Sequence, residues 1–253
     1  MKPTESSQAM PRIRFDRAVA EQLLRYGRMV VDRGYIHNTL GNIAIRVPHP
    51  DLPDGVVYTK SAGLSLEEAT LDSIVVTDIP DGRLLHGDVP TSVGHGLSRE
   101  ILRLRPDINA VIHVHDDLTI AYLAAGATEI PAMSLEFPYV LGRDPYVVPS
   151  SLDVEQDVGP IKEFIHRTNT VVMVRHGITT LGRHVSEAYH RLNALTSEVR
   201  RNVFAELIGA ARQTKPEHLS RKDVEWMHRV AEDVIYPAPR DGAGRPDNSC
   251  RER

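Results

Sequence analysis

Apolar positions along this chain recur at two spacings, and the spacing switches repeatedly. Over 15–35, "FDRAVAEQLLRYGRMVVDRGY", residues Val19, Leu23, Leu24, Met29, Val30 and Val31 fall near helical spacing and Gly34 can stop them, which predicts a long opening helix. Shorter β signals follow at "NIAIRV" (42–47), "GVVYT" (55–59) and "SIVVTD" (73–78), punctuated by Gly, Pro and Asp, and predict an antiparallel or mixed sheet. "GHGLSREILRLRP" predicts a short helix closed before Pro106. "INAVIHVH" reads as a buried strand, and "DDLTIAYLAAG" as a helix opened by Asp116 or Asp117 and ended by Gly126. After a Pro- and Tyr-rich loop over 131–150, "DVEQDVGPIKEFIHRT" reads as helix and "NTVVMVRHG" as strand. A long helix then covers "HVSEAYHRLNALTSEVRRNVFAELIGAAR", and "SRKDVEWMHRVAEDVIY" adds a last one with Ser220 and Asp223 in capping-box positions. No internal repeat interrupts this alternation.

Composition narrows the setting. A chain of 253 residues can bury a substantial core, and we expect one domain over 12–236 flanked by disordered segments at 1–11 and 237–253, both rich in Pro, Gly or charge. With Lys and Arg at 30 and Asp and Glu at 34, the net charge of −4 offers no basic field for nucleic acid, so a small molecule or a protein partner is expected. The single cysteine, Cys250, has no partner within the chain, which fits a reducing compartment. The polar start "MKPTESSQAMPRIRF" lacks the apolar core of a signal peptide, and no apolar run approaches the roughly 20 residues of a membrane helix. A soluble, cytoplasmic protein with no membrane association is the expectation.

The candidate chemistry lies in "NAVIHVHDD" (109–117). Residues two apart on a strand share a face, so His113 and His115 project together within reach of one ion. Alone, this H-x-H serves equally well as a hydrogen-bonded pair on a half-exposed sheet face. A third histidine, His176 in "VVMVRHGITTLG", follows another apolar strand and tips the balance. Three neutral imidazoles at strand ends leave coordination positions open, as catalytic metal sites do. The other histidines read as ordinary: His184 and His190 as capping or packing residues of the long helix, His166, His218 and His228 as surface or helix-face residues. His86 is close enough in sequence to "PTS" (90–92) to support a site there.

In order along the chain, "LGNIAIRV" (40–47), "YTKSAGLSLEEA" (58–69), "IVVTDIPDGRLLHGDVPTS" (74–92), "LRPDINAVIHVH" (104–115), "IPAM" (130–133) and "RHGITTLG" (175–182) before "SEAYHRLNALTSEVR" resemble the class II aldolase/adducin superfamily. The resemblance runs from about residue 15 to 205. It implies an αβα sandwich around a largely antiparallel nine-stranded sheet, a homotetramer with sites at subunit interfaces, and one divalent metal ion per subunit on His113, His115 and His176. Zn2+ and Fe2+ are the first candidates, with Mn2+ after them. It further implies that Gly41 and Asn42, the loop Thr59, Lys60, Ser61 and Gly63, and the pair Thr91 and Ser92 hold a substrate phosphate or carboxylate. Backbone amides, hydroxyls and the Lys60 ammonium would suit an oxyanion. Plain turn formation is the alternative for Asn42 and Gly63.

Two departures redirect the expected reaction. The family's "P-S-S-E" carries an acid that binds metal or removes a proton, whereas this chain reads "PTSVGHG" (90–96), so the acid's place falls on Val93 or Gly94. The tyrosine that protonates leaving groups in sugar-phosphate aldolases falls around Leu135. Decarboxylation of an oxo acid leaves an enolate directly and needs no base to begin, so a metal-dependent lyase that breaks a carbon–carbon bond beside a carbonyl is the leading expectation. His95 would return the proton or serve as a fourth ligand, with Asp116, Asp117 and Glu136 as lesser candidates. The runner-up is an iron(II) oxygenase with three neutral histidines that oxidatively decarboxylates an aryl pyruvate to a benzoate, chemistry assigned to a superfamily branch in aminocoumarin antibiotic biosynthesis. The Arg- and Ala-rich composition suits an actinobacterial host. An inactive adducin-like scaffold is the third reading, although adducin-like members lack the ligand histidines kept here.

Overall fold

The computed structural model describes residues 13–92 and 94–234; the terminal segments expected to be disordered, Cys250 and Val93 lie outside the described residues. Eight strands form one sheet: β1 (Asn42–His49), β2 (Leu52–Lys60), β3 (Ile74–Asp78), β4 (Leu84–His86), β5 (Ala110–Val114), β6 (Tyr146–Val148), β7 (Thr170–Met173) and β8 (Gly177–Gly182). Their order is β4-β3-β2-β1-β5-β8-β7-β6, and every pairing is antiparallel except β6 with β7. The αβα sandwich with a largely antiparallel sheet is therefore as expected, with eight strands among the described residues in place of nine.

Alternation along the strands assigns the two faces. Ile43, Ile45, Val56, Tyr58, Ile112 and Val114 pack under α1 (Arg17–Asp32) and α5 (Val185–Arg212), joined by Tyr122 and Leu123 of α3 (Asp117–Ala124). The intervening Ala44, Val57, Val111 and Leu181 face Leu97, Ile101 and Leu102 of α2 (His95–Leu104). Each fully buried Leu or Ile adds roughly 1.5–3 kcal/mol to the grip between layers, so the two rows fix strand register as well as stability. Asp16 caps α1 by accepting from the amides of Ala18 and Val19, and Gly34 leaves it at φ +72°.

Three segments differ from the sequence expectation. The loop over 131–150 contains α4 (Glu136–Leu141) and the short β6, and the strand β4 was not foreseen. Residues 153–168, expected as a helix, instead form turns and two single 3-10 turns at Gly159–Glu163 and Ile165–Arg167. Asp153 and Asp157 cause this by folding their carboxylates back onto backbone amides two and three residues ahead, and Pro160 removes one helical donor. α6 (Arg221–Val234) closes the described chain, with the Ser220 amide-capping contact to Asp223 in place. Among the described residues no helix is long and apolar enough to cross a membrane.

Candidate metal centre

His113 lies on β5 between Ile112 and Val114, whose side chains enter the α1 face, so its ring emerges on the α2 face. Its Nδ1 meets the Thr179 hydroxyl of the paired strand β8 at 3.0 Å. That bond fixes the ring and turns Nε2 toward His115, whose Nε2 is 3.0 Å away. His176 arrives from the turn between β7 and β8. The turn can press this close because residue 177 is glycine: a Cβ there would stand 2.1 Å from the Val114 carbonyl oxygen.

The structure thus brings His113, His115 and His176 together, with one ligand nitrogen from each within 4.8 Å of the others. Their rings meet edge to face at interplanar angles of 77°, 83° and 63°, so their nitrogens converge where stacked rings would point apart. Burial, helped by its histidine neighbours and opposed by Glu155, pushes the His113 imidazole down to about 3, which leaves it in the neutral form that ligates metals. Burial also lowers His115. Ligand atoms about 2.1 Å from one tetrahedral ion stand about 3.4 Å apart. The 3.0 Å between His113 and His115 is close to that, and an outer bound of 4.8 Å for the three lets small ring movements close the set around a divalent cation.

A fourth side chain at the cluster was missed in the sequence. Glu155, in the turn after β6, places Oε1 3.4 Å from His113 Nε2 and Oε2 3.2 Å from His176 Nε2. Burial alone would raise its carboxyl, but the bond to His176 and the three nearby imidazoles outweigh that and hold it below the usual range. The same bond raises His176. Gly94 carries no acid, as its motif indicated, yet a carboxylate reaches the histidines from another segment. Only the burial-prone spacing of Val154 and Val158 around it hinted that 155 was near the core.

The residues matched to an anion site lie next to this centre. An isolated bridge pairs Ser61 with Thr91, and the Ala62 amide donates to the Pro90 carbonyl at 2.8 Å, so the two loops form one unit leading into α2. The buried hydroxyls of Thr59 and Ser92 find no hydrogen-bond partner among the described residues, and Gly63, at φ +79°, faces open space. Asn42 is buried; its Oδ1 accepts from Ser98 at 3.1 Å, which orients the amide nitrogen toward Gly94. Lys60 behaves differently from expectation. It is fully buried and donates to the carbonyls of Thr39 and Leu64 at 3.0 and 2.6 Å, so it ties two loops together and offers no free charge to a ligand.

His95 is not brought to the cluster. Its Nε2 pairs with Thr77 at 2.8 Å, and burial with Arg99 nearby lowers it to about 3, so at neutral pH it holds no extra proton to return. The lesser candidates have structural work: Asp116 caps α3, Asp117 sits 3.5 Å from His37, and exposed Glu136 pairs with Arg201. His86 lies on β4 with its ring 4.5 Å from that of Phe15, and His184 caps α5.

Comparison with known proteins places these features in context. Residues 21–200 match the model of the Class II Aldolase and Adducin N-terminal domain. The L-fuculose phosphate aldolase of Methanococcus maripaludis is 28% identical over 178 residues, covering 69% of this chain and 90% of that protein. The methylthioribulose-1-phosphate dehydratase of Methylococcus capsulatus is 27% identical over 188 residues, covering 70% and 88%. A solved L-fuculose 1-phosphate aldolase superposes with a TM-score of 0.74 at 21% identity, covering 87% of this chain and 98% of its own.

Proposed function

Because this chain belongs to the class II aldolase and adducin family, we propose that it is a divalent-metal-dependent lyase that breaks a carbon–carbon bond beside the carbonyl of a small anionic substrate. The observation that carries the proposal is the convergence of three imidazoles, one of them buried and neutral. His113, His115 and His176 hold one divalent ion, which when bound supplies Lewis acidity toward the substrate carbonyl. Thr179 keeps the Nε2 lone pair of His113 directed at the cluster. On this reading the open turn at Gly63, in the loop that Ser61 bridges to Thr91, receives the anionic end, and the Asn42 amide nitrogen lies against Gly94 at the head of α2. Relatives named as aldolases and dehydratases of sugar phosphates support an anionic, oxygen-rich substrate.

The bond broken is, on this reading, that to a carboxylate of an oxo acid. Leu135, where sugar-phosphate aldolases of the family carry a tyrosine, is half exposed and has no proton to give a departing group. Loss of carbon dioxide does not ask for one at that step. The oxygenase reading stands as the second: the Glu155 carboxylate against two of the histidines gives a ligand set that iron(II) oxygenases also use, and oxygen uptake separates the two.

The test is turnover by protein loaded anaerobically with Zn2+, Mn2+ or Fe2+. Carbon dioxide release from oxo acids without oxygen uptake is expected. Oxygen consumption matched to product would establish the oxygenase instead, aldehyde release from ketose phosphates alone would establish an aldolase, and a metal-loaded protein that does none of these would sink the lyase.

A further inference from the structure

We propose that Glu155 is the carboxylate ligand of this metal centre, occupying the space an acidic side chain on residue 94 would fill, and that glycine at 94 is what admits it. The inference rests on the metal reading above and concerns where the fourth ligand comes from. A Cβ built on Gly94 would lie 2.4 Å from Glu155 Oε1 and 2.9 Å from the Asn42 amide nitrogen. An alanine at 94 would press on the tip of the carboxylate and make it shift, and an acidic side chain there would contend with it for one volume. Residue 94 is also the position, together with 93, at which the family's acid falls by motif. The start of α2 thus carries no acid, and a carboxylate stands at the same place from the turn after β6.

The turn is built to present that carboxylate. Val154 is fully buried among Leu97, Ile161 and Phe164 of the α2-side core, so the residue after it is drawn against the sheet. Asp153 accepts from the amides of Glu155 and Gln156 at 3.1 and 3.2 Å, and the Asp157 amide donates to the Asp153 carbonyl at 2.9 Å. These bonds fix the backbone on both sides of Glu155. Its two oxygens then straddle His113 and His176 at 3.4 and 3.2 Å, close to the spacing of atoms that share one tetrahedral ion. Gly94 begins α2 with no side-chain cap, so the positive end of that ten-residue helix adds to the stabilisation of the carboxylate.

The experiment measures Zn2+ affinity by chelator competition, and the visible spectrum of Co2+-loaded protein, for the full chain and its variants. Glu155→Gln keeps the shape and removes the charge; it is expected to bind Zn2+ at least about tenfold more weakly and to alter the Co2+ spectrum. Gly94→Ala is expected to weaken binding in the wild type and to cost clearly less in a Glu155→Ala background, where only the contact with the Asn42 amide nitrogen at 2.9 Å remains. Gly94→Glu combined with Glu155→Ala is expected to recover most of the lost affinity. Should Gly94 variants misfold, Glu155→Gln still decides: affinity within twofold of wild type and an unchanged Co2+ spectrum would overturn the inference. A wild-type protein that binds no divalent ion would overturn the metal reading itself, a distinct outcome.

Discussion

The two halves of the candidate metal centre are held in different ways. His113 is embedded in the middle of the sheet, paired on one side with Asn42 and on the other with Thr179, and its neighbours Ile112 and Val114 are fully buried. Glu155 rides on a turn whose bonds are mostly its own, made by Asp153 and Asp157 to amides nearby in sequence. Moving the imidazole means unpairing strands, whereas moving the carboxylate means breaking a few local bonds and freeing one valine. The first half is suited to keeping an ion in place through turnover; the second can yield when substrate arrives. Preorganisation and adjustability have been assigned to separate segments of the chain.

That division can be tested from its strongest arm downward. Replacing His113, His115 or His176 by Ala is expected to abolish stoichiometric metal and measurable turnover while leaving the folded circular-dichroism spectrum intact; full metal content by elemental analysis in all three would break the assignment. Thr179→Val keeps the bulk but removes the partner of His113 Nδ1, and a loss of about 10–100-fold in metal affinity is expected. Asp153→Ala loosens only the turn. Its cost should be smaller, about tenfold or less in affinity, and should vanish in a Glu155→Gln background; an effect that persists there would show that the turn supports more than the carboxylate.

The smallest expected effect concerns pH and the wall under the turn. His95 is held at about 3 in the fold, below the 6.5 of an exposed histidine, by burial and then by Arg99. Above 6.5 both folded and unfolded chains carry it neutral, so it contributes no pH dependence. As pH falls below 6.5 the unfolded chain takes up a proton that the folded chain refuses, and stability declines by up to about 1.4 kcal/mol per pH unit until the folded value is reached. Denaturant melts of metal-free protein at pH 7 and 5 should show this slope in the wild type and a shallower one in His95→Gln. Equal slopes would mean that the ring is less secluded than its Thr77 contact indicates.

What could be read in the sequence follows the same division. Period-two alternation across "AVIHVH" was enough to put His113 and His115 on one face, and the ordered motifs named the sandwich and the third histidine. Strand-borne geometry is written locally, because each residue's face follows from its neighbour's. β4 and β6, three residues each, are too short to carry a period, and the count of nine came from the resemblance, against eight among the described residues. Over 153–167, Val154, Val158, Ile161 and Ile165 fall at helical spacing, yet Asp153 and Asp157 cap amides within the segment and Pro160 interrupts it. Reading that stretch as helix hid Glu155 among surface charges. Lys60 shows the converse error: its motif suggested a ligand for anions, and nothing local disclosed that the carbonyls of Thr39 and Leu64 already claim it.

The close approach at Gly94 also constrains the order in which such a site can change. An ancestor with an acid at the head of α2 could not simply acquire Glu155, because two carboxylates would then contend for one volume and repel each other. Trimming residue 94 first leaves three imidazoles able to retain an ion, a weakened but passable intermediate, into which the turn after β6 can later extend its acid. Reversal asks the same of the other side, since an acid returning to position 94 has to displace the Glu155 carboxylate, and the two would repel each other. The two positions are thus coupled, and relatives with an acid at the first are expected to lack one at the second.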